Sequence, residues 1–254
     1  MGLFKNKRDR SPFVSETHQR TLHKNLEFTA TEQYKLLRTN LEFTVPEGVK
    51  CPVIGVTSSM RGEGKSTTAV NLSYVLAEKG SRVLLIDGDL RIPSVAKKMN
   101  IAGSPGLTDL LMDKGTPMET FRSSLLDTWY VMPSGDIPPN PSELLGSKRM
   151  ETALETLKAE FDYIVIDLPP VNVVSDALSI SHLITGMIVV IREEYTEKKE
   201  LERCFRQLKL SGATVLGCVM NEAKSGSGSY GKYKKYKYYK YYRNEYQTPE
   251  DQQS

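Results

Sequence analysis

Residues 53–68 read VIGVTSSMRGEGKSTT. A short run rich in β-branched side chains enters a glycine-bearing turn, and a helix-forming stretch follows. That order is the one a phosphate-binding loop requires. Glycines let the backbone turn its N–H groups toward phosphate oxygens, and the helix N-terminus adds the positive end of its dipole. The full motif Gly-x-x-x-x-Gly-Lys-Ser would need Gly at 59, where the chain has Ser59, but the core Gly62, Glu63, Gly64, Lys65, Ser66, Thr67 is complete. In such a loop Lys65 would reach the β- and γ-phosphates of ATP, and the Ser66 hydroxyl would join the Mg2+ shell. The plainer alternative is a tight strand–helix turn with a surface lysine.

Two further apolar runs end in acids. LLIDGDLR (84–91) carries Asp87 and Asp89, two residues apart and therefore on one side where the chain leaves the sheet. Carboxylates crowded there repel unless a cation or a proton lies between them, and Mg2+ takes few carboxylates when phosphate oxygens complete its shell. Aspartates at strand ends also cap helices. YIVIDLPP (163–170) puts Asp167 at a strand tip. Open α/β sheets bind ligands outside those tips, and a Walker-B-type acid holds Mg2+ directly or through water. Lys65, Asp87, Asp89 and Asp167 thus converge on one rim. Together they point to ATP and Mg2+.

The rest of the chain agrees with an α/β domain. It has 254 residues, 39% hydrophobic and 26% charged, enough for one sizeable core plus extensions. Strands are expected at 53–58, 82–87, 129–135, 163–167, 187–192 and 214–221, with helices at 65–79, 148–160, 175–183 and 198–210 between them. This alternation predicts a three-layer fold, a mostly parallel sheet with helices on both faces. Tyr34, Leu37 and Leu41 recur at helical spacing over 29–44, with Thr29 or Thr31 as N-cap. Four segments follow: a mobile 1–25, a helical region 26–50, the nucleotide-binding domain 51–222, and a flexible tail 223–254 that opens on a Gly/Ser joint. Cys51, Cys204 and Cys218 lie far apart, with no CxxC, and are expected to be reduced and half-buried. No apolar run approaches the ~20 residues of a membrane span, and 1–10 lacks the apolar segment of a secretory leader. Asn6 also occupies the Ser/Thr position of a myristoylation motif. The expectation is a soluble, intracellular protein.

GEGKST, LLIDGDLRIP, YIVIDLPP and the tyrosine-rich tail resemble the bacterial tyrosine kinases of capsule and exopolysaccharide synthesis, over residues 29–246. The resemblance implies the P-loop NTPase fold. It also matches Asp87-x-Asp89-x-Arg91 to Walker A′ and 164–170 to Walker B. PPNPSELL (138–145) and VSDAL (174–178) look family-like too. Glu32-x-x-Lys35-x-x-Arg38 is similar to the family's Glu-x-x-Arg-x-x-Arg oligomerisation helix, which implies a ring-shaped homo-oligomer. Lys35 stands where Arg is usual and loses the bidentate geometry. Arg61 stands where the family usually has Pro, and either touches phosphate or faces solvent. By the same analogy Asn221 contacts adenine, a strand-end turn being the alternative. Further implications are a separate membrane modulator that activates the kinase and recruits it to the inner face of the membrane, a protein-tyrosine phosphatase, and protein substrates of polysaccharide synthesis. The competing resemblance is to MinD/ParA-type partitioning ATPases. Their extra P-loop lysine would fall at Met60, and they lack a tyrosine tail.

The tail holds Tyr230, Tyr233, Tyr236, Tyr238, Tyr239, Tyr241, Tyr242 and Tyr246, eight of the chain's thirteen tyrosines. Residues 223–254 have seven Lys/Arg against three Asp/Glu, which leaves the rest of the chain near neutral. A basic aromatic tail alone would suggest nucleic acid or an anionic membrane. Beside an ATP site it reads as the kinase's own substrate, with no nucleic-acid partner. Each phosphate adds ~1.5 to 2 negative charges, so three would reverse the sign of the tail. Asp87 is the candidate for orienting or deprotonating the incoming phenol, with Asp89 as the alternative.

Overall fold

Side-chain alternation along the central strands sorts the apolar residues into two cores, one on each face of a seven-stranded sheet. The computed structural model describes residue 26 and residues 28–223. The chain divides into two units, Met1–Asn221 and Glu222–Ser254, and every element below lies in the first. The strands are β1 (Val53–Ser58), β2 (Val83–Asp87), β3 (Arg122–Ser123), β4 (Trp129–Met132), β5 (Tyr163–Asp167), β6 (Gly186–Arg192) and β7 (Val215–Asn221), in the order β3-β4-β2-β5-β1-β6-β7. All neighbours are parallel except β3 and β4. The mostly parallel three-layer fold expected from the sequence is therefore the one found.

One face carries Ile54, Val56, Val83, Leu85, Val131, Val165, Ile188 and Val190, packed against α1 (Phe28–Thr44), α2 (Lys65–Glu78) and α3 (Val95–Met99). The other carries Val53, Leu84, Ile86, Ile164, Ile166, Met187 and Val189, with α4 (Leu107–Leu111), α6 (Pro141–Leu145), α7 (Lys148–Lys158), α8 (Asp176–Ser179) and α9 (Lys198–Leu210). A period of two does this: successive side chains leave a strand on opposite faces. The short α5 (Pro117–Thr120) precedes β3. Helix α2 is buried on nearly every side because α1 covers the face turned from the sheet. By contrast, α7 buries only Met150, Leu154 and Leu157, one stripe at helical spacing. The Ser147 hydroxyl caps α7 by accepting from Met150 N.

The structure departs from the sequence reading in several places. Helix α1 begins at Phe28, so Thr29 and Thr31 lie inside it and neither is its N-cap; Thr31 is buried instead. Strand β4 stops at Met132 because Pro133 has no N–H for the ladder. The helix expected at 175–183 breaks into α8 and a 3-10 turn at Ser181–Leu183. The three cysteines are free, but Cys51 and Cys204 are buried while Cys218 is exposed. Burial pushes the Cys51 and Cys204 thiols up to about 11 and about 12, whereas Cys218 lies on the open edge strand β7. The tyrosine cluster and the first 25 residues lie outside the described residues.

Candidate functional site

The sheet order explains why the site forms. Strand β5 lies between β1 and β2, so the C-terminal tips of all three meet. Asp87 and Asp167 are register partners, and Gly88 N donates to Asp167 O at 2.8 Å. From the far end of the loop after β1, Lys65 reaches across these tips. Its Nζ donates to Asp89 Oδ2 at 2.8 Å and to Asp167 Oδ1 at 3.4 Å, and Ser66 Oγ lies 3.4 Å away. Of the residues expected at the rim, Lys65, Ser66, Asp87, Asp89 and Asp167 are brought together.

Their electrostatics follow from burial. Asp87 and Asp167 are fully buried and Asp89 nearly so. Burial, with the neighbouring Asp167, pushes Asp87 up to about 7, although the amides of Val95 and Ser94 and the charge of Lys65 oppose the rise. Burial likewise raises Asp167, against the pull of Lys65. Burial works against the Lys65 charge too, but the carboxylates Asp167 and Asp89 more than offset it, so its ammonium is held more firmly than usual. Three buried carboxyl groups thus face one lysine.

Asp87 Oδ2 accepts from Ser94 N (3.0 Å) and Val95 N (2.9 Å), capping the first turn of α3, and Oδ1 takes a longer 3.3 Å contact from Asp89 N. Asp89 Oδ1 accepts from Ile92 N, which closes the turn that holds it. Within that turn Arg91 makes a bidentate pair with Asp176 (2.8 and 3.0 Å), and Ser142 Oγ donates to the same carboxylate. The sequence reading gave Arg91 a motif position but missed its partner. Asp176 sits in VSDAL and Ser142 in PPNPSELL, the two stretches that had no role, and a fully buried aspartate needs a cation.

The side chains of Glu63 and Asn221 are both engaged with the loop itself. The Glu63 side chain is wholly buried; its carboxylate accepts from Ser59 Oγ (2.7 Å), Thr196 Oγ1 (2.6 Å) and Met60 N (3.0 Å). It braces the loop from behind, as does Asn221, whose Nδ2 donates to Glu63 O at 3.1 Å. The Ser at 59 that breaks the longer motif is one of these braces. The Arg61 side chain is exposed.

Do these residues fit a nucleotide with a divalent cation? Asp167 Oδ2 is buried and has no hydrogen-bond partner among the described residues. An orphaned carboxylate oxygen beside two more acids is a place for a cation. No three acid, His or Cys side chains among the described residues would hold a metal by themselves, so an ion here would need further oxygens, from phosphate and Ser66. Gly62 and Gly64 stand at φ +81° and +97°, the left-handed backbone that lets successive amides converge on an anion. The residues fit.

On Glu32, Lys35 and Arg38, the structure separates what the sequence grouped. Glu32 and Lys35 pair on the surface of α1 at 3.0 Å. Arg38 turns inward, and its Nη1 donates to Val75 O of α2 at 2.6 Å. The three are not one solvent-facing stripe.

A strand–loop–helix with a lysine over two acid-tipped strands defines a P-loop nucleotide-binding domain, and the family model described as AAA domain matches residues 51–211. The chain is 36% identical over 211 residues to tyrosine-protein kinase YwqD of Bacillus subtilis (strain 168), covering 83% of this chain and 82% of that one. It is also 36% identical over 204 residues to tyrosine-protein kinase CpsD of Streptococcus pneumoniae serotype 4, covering 78% and 88%. Among solved structures it resembles the chimerical protein CapA2B2, with a TM-score of 0.76, 31% identity, and coverage of 82% and 91%. The chain belongs to the family of bacterial tyrosine-protein kinases of the capsule and exopolysaccharide group. Membership in it displaces the partitioning-ATPase reading.

Proposed function

We propose that this chain is an ATP-dependent protein-tyrosine kinase that phosphorylates the C-terminal tyrosines of a neighbouring copy of itself and so regulates capsular or exopolysaccharide synthesis. Kinase activity follows from family membership. The observation that supports the residue roles is Lys65 held between Asp89 and Asp167 at the mouth of the glycine loop. When bound, ATP with Mg2+ supplies the phosphoryl group and the counter-charge for its transfer. Gly62, Glu63, Gly64, Lys65, Ser66 and Thr67 would hold the nucleotide, and Ser66, Asp89 and Asp167 the cation. Lys65 is held charged by the acids around it, so its positive charge is in place to meet the negative charge that develops on the transferring group. Asp87 is the proposed proton acceptor for the phenol. The amides of Ser94 and Val95 occupy its Oδ2, and Oδ1 is the oxygen with only one long contact.

No helix among the described residues is long and apolar enough to cross a membrane. A separate membrane modulator that activates the kinase and holds it at the inner face of the membrane is part of this proposal, as are a phosphatase that resets the tail and protein substrates in polysaccharide synthesis. Incubation of the purified chain with ATP and its modulator should place phosphate on tyrosines 230–246, mapped by peptide mass, and EDTA should prevent it. Phosphate absent from the tail under those conditions would overturn the proposal.

The ring-shaped oligomer is proposed to form through Glu32 and Lys35 of α1, with Arg38 acting from inside the chain. Glu32→Ala with Lys35→Ala removes an exposed i,i+3 pair worth about 0.3–0.5 kcal/mol, so sedimentation should show a smaller species with an unchanged melting temperature. Arg38→Ala also loses a hydrogen bond to a charged donor, about 1.5–3 kcal/mol, and should melt earlier. If both variants sediment as large as the parent, another surface makes the oligomer.

A further inference from the structure

Three successive peptide carbonyls of the glycine loop are each held from outside by a side chain that the sequence places more than a hundred residues away. Tyr195 OH donates to Arg61 O at 3.1 Å, Arg192 Nη1 to Gly62 O at 3.3 Å, and Asn221 Nδ2 to Glu63 O at 3.1 Å. A planar trans peptide points its C=O and its N–H in opposite directions. Fixing the carbonyls of residues 61, 62 and 63 on one side therefore turns the N–H groups of Gly62, Glu63 and Gly64 to the other. None of those three N–H groups makes a backbone hydrogen bond of ordinary geometry among the described residues. The holding side chains are themselves fastened. The Arg192 guanidinium lies over the Tyr195 ring, 5.1 Å from its centroid, and Thr196 Oγ1, which accepts from Arg192 N, donates to the buried Glu63 carboxylate. Space is tight as well: a Cβ on Gly64 would run into the Asn221 amide, and one on Gly62 would crowd the Tyr195 hydroxyl.

We infer that Tyr195, Arg192 and Asn221 are positioning residues that aim the loop's amides at the phosphates of the nucleotide. They act through the carbonyls on the outer side of the loop and do not touch the ligand themselves. Asn221 then contributes to nucleotide binding through the Glu63 carbonyl, where family analogy suggested an adenine contact. The inference rests on the nucleotide site proposed above.

The test compares two probes, ADP and inorganic pyrophosphate, titrated calorimetrically with Mg2+ into the full-length chain. Tyr195→Phe deletes one hydroxyl from a half-exposed ring. Arg192→Met deletes the donor but keeps much of the stem, and Asn221→Asp replaces a donor with an acceptor. The preorganisation that each bond supplies can be worth up to its own strength, about a fivefold loss of affinity, and the Asp variant should lose more because it sets two acceptors face to face. Both probes should weaken by the same factor in each variant, measured at a temperature where every variant is fully folded, and Arg192→Lys should recover most of the loss. A merely structural role would lower the melting temperature and leave the affinity of the folded chain intact, which would overturn the inference. So would a loss in Asn221→Asp confined to ADP, the mark of a base contact. Unaltered affinity in all variants would overturn this inference while leaving the nucleotide site standing. A parent chain that takes up neither probe would overturn both.

Discussion

Lys65→Met should abolish phosphotyrosine on the tail in cells that contain no other tyrosine kinase. The ammonium lies at the junction of β1, β2 and β5, held by Asp89 at 2.8 Å and Asp167 at 3.4 Å. Backbone amides and Mg2+ without the lysine would leave the transferring group's charge only partly compensated. Removal of a single preorganised donor from such a site costs roughly a hundred- to a thousandfold in rate. A full charge facing buried carboxylates should lie at or beyond the upper end. The substitution also deprives three buried acids of their cation. A melting curve must accompany the assay, and inactivity counts only for a variant that still unfolds cooperatively. Tail phosphorylation that persists in the folded Lys65→Met chain would show that the P-loop assignment is wrong.

The second expected result concerns where the tail goes. When a Lys65→Met chain with an intact tail is mixed with a catalytically intact chain truncated after Glu222, the Lys65→Met chain should acquire phosphate. The first has substrate without catalysis, and the second has catalysis without substrate. Tyrosines 230–246 follow the last residue of β7 by nine to twenty-five positions, and at up to ~3.4 Å per residue a chain of that length can reach tens of ångströms. Transfer should accelerate with concentration and require both ATP and Mg2+. A tail that binds membrane or nucleic acid predicts no phosphate on either chain. A strictly intramolecular kinase predicts the same silence in the mixture, but labelling of the unmodified chain at a rate independent of concentration. Phosphorylation of three tyrosines would reverse the tail's charge at ~1.5 to 2 charges each, and the assembly should then loosen.

Much of this architecture is legible in short windows of sequence, because the properties that encode it are local. A strand buried on both faces must be apolar at every position, so VLLID and YIVID announce themselves, and the acid that ends each run marks the point where the chain leaves the core. Glycines at 62 and 64 mark backbone that needs positive φ, and Lys65 follows them directly. The sequence alone therefore determined the class of fold and the convergence of Lys65, Ser66, Asp87, Asp89 and Asp167 on one rim, the candidate site. It could not say which acid the lysine would meet, since that depends on β5 lying between β1 and β2. It also could not assign the second partners: Asp176 to Arg91, Val75 O to Arg38, Tyr195 to the carbonyl of Arg61. Those pairs lie 37 to 134 positions apart along the chain, and nothing in the residues near either member specifies the other. Arg38 and Glu63 are charged residues that a local reading sends to solvent or to ligand. Both turn inward because packing leaves a backbone carbonyl of α2 or the hydroxyls of Ser59 and Thr196 within reach, and a buried polar group must be satisfied where it lies. Local periodicity places a residue on a face. Only the folded chain, which brings distant elements to one tip of the sheet, decides what that residue holds there.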